Sequence, residues 1–162
     1  MMNKFVSEKI RMRTSARLAA VQATYMIAYS QLPVDEVIKD FVSGEVGRYV
    51  IAEDMLNHEE MVPVEQMDAA YFTALVKGVH SRKEQLEQSL SAYLNEGWSF
   101  ERMDGTLQAL LLCAVYEIVS TLDVDVKIII KEYVDLAYAF FTKYEPKMVN
   151  ALLDKVAKAV RE

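Results

Sequence analysis

In 162 residues the chain has one cysteine, three prolines, five glycines, two histidines and one tryptophan. Each scarcity removes a class of protein. A single thiol, Cys113, cannot close a disulfide within the chain. It lies in Leu110-Leu111-Leu112-Cys113-Ala114-Val115, where it reads as buried packing in a reducing compartment. The histidines, His58 and His80, have no partner at metal-ligand spacing, and His58-Glu59-Glu60 lacks the second histidine of a helical zinc site. With so little glycine there is no phosphate loop, nucleophile elbow or dinucleotide fingerprint. The longest apolar stretch, Ala109 to Tyr116, is far too short to cross a bilayer, and no apolar run follows the basic N-terminus. The expectation is a cytoplasmic protein that is not an enzyme, with no metal, cofactor or membrane partner. Asp123 and Asp125, flanking Val124, read as a helix cap and its neighbour, not as an acid–base pair.

What is present is a globular composition with a split charge. Hydrophobic residues make up 52% and charged residues 26%, enough for one domain or two small packed halves. Within the net charge of −6, residues 1–25 carry Lys4, Lys9, Arg11, Arg13 and Arg17 against Glu8 alone. Residues 35–68 carry the opposite sign, ten acids against Lys39 and Arg48. A short basic arm on an acidic body is suited to holding phosphate.

Apolar spacing is helical throughout, and no alternating strand pattern competes, which predicts an all-α fold of about seven helices. The arm spans residues 1–14, and Ser15 caps a helix whose buried stripe is Ala16, Ala20, Ala23 and Ile27, leaving Arg17 and Thr24 on a face in water. Pro33 opens a short helix with Val34, Val37, Ile38, Phe41 and Val42 inward. Residues 44–67 read as an irregular acidic connection broken by Gly44, Gly47 and Pro63. Asp68 caps one long helix with the seam Phe72, Leu75, Val79, Leu86, Leu90 and Tyr93, ending at Gly97. Ser99 begins a short segment and Asp104 starts the most apolar helix, Leu107 to Leu122, the central one of its half. Two more follow, Val126 to Thr142 and one opened by Pro146 with Val149, Leu152, Leu153 and Val156 inward. The single domain over 15–162 thus has halves of about 15–67, with the start of the long helix, and 68–162.

The arm and the first helix are the residues best suited to a ligand. Arg11, Arg13 and Arg17 can neutralise phosphates, Gln22 offers an amide to base edges and Tyr25 a ring for stacking. The alternative is that these cations are simply solvated.

Ser15-Ala16-Arg17 through Ala20-Val21-Gln22-Ala23-Thr24-Tyr25 resembles the opening helix of the NusB family of bacterial transcription antitermination factors. Phe72-Thr73-Ala74-Leu75-Val76-Lys77-Gly78-Val79, Trp98, Ala114-Val115-Tyr116-Glu117-Ile118, Val126 through Ala137, and Lys147-Met148-Val149-Asn150-Ala151-Leu152-Leu153-Asp154 are similar to its later segments, in order, from about residue 14 to 157. The resemblance implies two helical halves and binding of the single-stranded boxA segment of ribosomal RNA leader transcripts. It also implies, as partner, the small-subunit ribosomal protein NusE, within the antitermination complex on RNA polymerase. By the same analogy Lys147, Met148 and Asn150 join Arg17, Gln22 and Tyr25 at the RNA. The chain departs from the pattern at Ser15 and Leu112, where arginine is common, and at Lys131, Met148 and Ala151, which replace a usual Asn, Phe and Gly. Losing an arginine and a ring predicts weaker RNA binding, by on the order of 1 kcal/mol or more each.

Glu117 and Tyr116 interrupt the most apolar helix. A buried glutamate is costly unless paired, so Glu117 is expected either to pair internally, for example with a Lys or Arg of a flanking helix, or to reach the surface. The resemblance assigns that surface, with Tyr116 and Glu117, to the ribosomal protein. Two other functions compete. One is a relative of the N-terminal part of a ribosomal RNA cytosine methyltransferase, which needs a C-terminal cofactor domain and a catalytic cysteine, neither expected in a chain ending at Glu162 with Cys113 in an apolar run. The other is a helical protein-binding or self-associating module, including a homodimer.

Overall fold

Nothing between Met2 and Ser30 interrupts a helix, since neither glycine nor proline occurs there, and α1 spans Met2–Ser30 without a break. The computed structural model describes residues 2–43, 67–142 and 144–161, with side chains from Glu8 onward. The expected cap at Ser15 is therefore corrected, because Ser15 sits mid-helix and the residues before it are helical too. Thr14 adapts by returning its hydroxyl to the Ile10 carbonyl at 2.9 Å. Gln31, with φ of 56°, ends the helix in the left-handed conformation, and Pro33 follows.

The chain divides into two compact units, Met1–Lys77 and Gly78–Glu162. In the first, α1 packs with α2 (Val34–Ser43), which buries Val37, Ile38 and Phe41 as its spacing predicts. Phe41 stacks on Phe72 of α3 (Ala69–Ser81) with centroids 5.5 Å apart. Asp68 caps α3, its Oδ1 accepting from the Tyr71 N–H at 3.0 Å, and its own N–H donates to the Met12 carbonyl at 3.0 Å. The acidic segment, with His58, falls outside the described residues except for Met67.

The expected long helix is two. α3 stops at Ser81, Arg82 takes φ −118° and ψ 17°, and α4 runs Lys83–Tyr93. No glycine or proline marks the break, so propensity does not reveal it. In the second unit α5 (Gly105–Ser120) is central and buried nearly all round, packed by α4, α6 (Val126–Phe140) and α7 (Tyr144–Arg161). Asp104 and Asp125 cap α5 and α6, accepting from the Thr106 and Lys127 N–H groups at 2.8 and 2.9 Å. Arg161 at the end of α7 clamps the exit of α5, donating to the carbonyls of Ile118, Thr121 and Val124 at 2.9, 2.8 and 2.6 Å. Among the described residues the fold is all-α, with seven α-helices and a 3-10 turn at Phe100–Arg102, and no described helix is long and apolar enough to cross a membrane.

Candidate nucleic-acid interface

The cationic residues of α1 separate by burial. Arg11 is exposed, Arg13 is half-buried, and Arg17 is only 2% exposed. The expectation that Arg17 and Thr24 face water is corrected: both are buried, Arg17 against Tyr71 of α3. A guanidinium taken out of water requires acceptors and aromatic faces around it. Arg17 Nη2 donates to the Tyr71 hydroxyl at 3.2 Å, and its guanidinium carbon lies 5.2 Å from the Tyr71 centroid. Arg13 lies over the same ring at 4.7 Å.

Further along α1, Gln22 is half-buried, and its Oε1 is enclosed with no hydrogen-bond donor. Tyr25 is 39% exposed and its ring lies tilted against that of Tyr29, 60% exposed, at 4.5 Å between centroids. Tyr29 is a second exposed ring that sequence reasoning passed over, although its spacing of four from Tyr25 signals a shared helix face. Tyr71 was also passed over. It lies 54 residues from Arg17, and no local pattern links the two.

In the second unit Lys147 and Asn150 are exposed on α7, and Met148 is half-buried. Asn150 lines a shallow cleft of about 310 Å³ with Lys127, Ile130, Lys131, Val134, Asp135 and Asp154. Lys131, where the resemblance expects asparagine, is held by Asp135 at 2.9 Å, and that carboxylate raises the amine above its ordinary value. A raised lysine stabilises the fold below its unfolded pKa and loses that contribution only as pH climbs through the raised value, so the pair is intact at neutral pH. Being exposed, it contributes little.

Of the two residues assigned to a partner surface, Glu117 does not reach the surface. Glu117 is fully buried, and the Tyr133 hydroxyl donates to its Oε1 at 2.8 Å. The expectation that Glu117 reaches the surface is corrected, and the alternative of internal pairing holds, a neutral phenol supplying one partner for the buried carboxylate. Tyr116 is half-buried, its ring lying so close to Gly78 that a methyl there would overlap it. It is packing against a bare stretch of helix.

The profile of the NusB family matches residues 14–158. A transcription antitermination protein NusB from Novosphingobium aromaticivorans is 40% identical over 149 residues, spanning 92% of this chain and 95% of its own length. The namesake from Rhodospirillum rubrum is 37% identical over 155 residues, spanning 91% and 84%. Among solved structures, NusB of T. maritima overlays with a TM-score of 0.71 at 20% identity, covering 90% of both chains. A structure of the antitermination factors NusB and NusE in complex with dsRNA gives a TM-score of 0.71 at 19% identity, covering 92% of this chain and 98% of that one.

Proposed function

Since the chain belongs to the NusB family of transcription antitermination proteins, we propose that it binds the boxA segment of nascent ribosomal RNA together with a NusE-type ribosomal protein. No step of this function is catalytic. The observation that carries the reading is the concentration of cations on α1, Arg11 exposed and Arg13 half-exposed, in a chain whose net charge is −6. Phosphates are neutralised by such a row with release of counterions, and the exposed Tyr25 adds a ring for an unpaired base. Gln22 offers an amide, and Lys147, Met148 and Asn150 supply a second set of polar and apolar contacts from α7. The similarity in fold to a NusB solved with NusE and dsRNA supports both kinds of partner.

An acidic chain repels RNA except at such a row, so a basic partner raises affinity by adding positive charge and by screening the acidic remainder. The pair therefore forms first and binds RNA more tightly than either member. RNA titrations at one fixed salt concentration test this, using unpaired boxA RNA, an unrelated single strand and a duplex, with the chain alone and with the ribosomal protein. The expected order is boxA first, with a gain on adding the partner. Equal affinity for all three RNAs, or no gain from the partner, overturns the reading.

A further inference from the structure

Arg13 and Arg17, one turn apart on α1, converge on the single ring of Tyr71. The arrangement is anchored through the backbone, because the Asp68 N–H donates to the Met12 carbonyl and the Asp68 side chain caps the Tyr71 N–H, both at 3.0 Å. The first turn of α3 is thereby fastened to α1 one residue from Arg13. The two arginines are not equivalent. Arg17 is buried and grips the Tyr71 hydroxyl, whereas Arg13 is half-exposed with its Nε enclosed and without an acceptor.

We propose that Tyr71 is a positioning residue for RNA binding: its ring fixes Arg13 as a phosphate-facing cation of α1, and Arg17 anchors Tyr71 instead of touching RNA. This rests on the RNA-binding reading above. A guanidinium laid on an aromatic face has its plane satisfied and keeps its edge N–H groups for a phosphate, and it loses less side-chain freedom on binding than one waving in solvent. Arg17 holds the ring at its hydroxyl. The order is thus buried arginine, tyrosine, half-exposed arginine, phosphate.

The test is a double-mutant cycle read by RNA affinity and by its salt dependence, in the full chain with the ribosomal-protein partner and an unpaired boxA oligoribonucleotide. Arg13→Ala is expected to lower the salt slope by about one unit. Tyr71→Leu weakens binding about fivefold in the Arg13 background and has no further effect once Arg13 is alanine. Tyr71→Phe keeps the ring, and so keeps the wild-type salt slope while melting earlier. Additive losses from Tyr71→Leu and Arg13→Ala show that Tyr71 does not act through Arg13 and overturn the proposal. Should Tyr71→Leu fail to fold, Arg13→Ala and Tyr71→Phe still decide it: an unchanged slope in the first, or a lowered slope in the second, overturns it. Wild-type protein that ignores RNA would instead refute the functional reading itself.

Discussion

At the scale of single residues, charge type says little about role until burial is known. Arg11 and Arg17 are the same residue six positions apart on one helix, yet one is exposed and the other enclosed against Tyr71. Arg17→Ala leaves the Tyr71 hydroxyl without that donor and opens a void, and is expected to cost about 2–4 kcal/mol in denaturant unfolding. Arg11→Ala is expected to change stability by less than about 0.5 kcal/mol while reducing the salt slope of RNA binding by about one. Equal stabilities for the two variants would contradict the burial assignment. Glu117 makes the same point in the opposite sign. Tyr133→Phe removes the hydroxyl from a buried carboxylate and should cost about 1–3 kcal/mol, measured by thermal melts. Because Glu117 lies inside, Tyr133→Phe protein that still folds should bind the ribosomal-protein partner as the wild type does.

At the scale of elements, helix ends and close approaches are set by single atoms. Gly78 sits inside α3, where alanine ordinarily stabilises a helix by about 1 kcal/mol. Here the added methyl would overlap the Tyr116 ring, so Gly78→Ala is expected to destabilise by about 1–3 kcal/mol instead. Adding Tyr116→Ala should recover part of that loss, and failure of this rescue in a melting experiment would place the strain elsewhere. The Arg161 clamp joins α7 to the end of α5 through three carbonyls. Arg161→Ala is expected to cost about 2–3 kcal/mol, and Arg161→Lys to restore only part, since a point charge cannot reach three acceptors with a planar fork. Restoration to wild-type stability by lysine would show that charge alone suffices.

At the scale of the whole molecule, net charge sets the rate at which partners meet. A chain of net charge −6 attracts a basic protein over distances that salt shortens. Association with the ribosomal protein, followed by stopped flow, is expected to slow by about tenfold or more between low and physiological salt while dissociation changes little. A salt-independent association rate would mean that the contact is apolar.

Much of this protein is written in local sequence, and the physical reason is that periodicity, capping and breaker chemistry act over a few residues. The all-α class, the caps at Asp68, Asp104 and Asp125, the central place of the Leu107–Ile118 run and the inward set Val149, Leu152, Leu153 and Val156 all follow from it. The start of α1 and the break at Arg82 were not legible, since continuous helix formers hide a beginning and no breaker marks an end. Only the tertiary structure decided which cations are exposed and which are enclosed. It buried Arg17 beside a tyrosine 54 positions away and turned Glu117 toward Tyr133. Burial is a property of what packs across from a residue, and neighbours distant in the chain leave no mark on the residues they enclose.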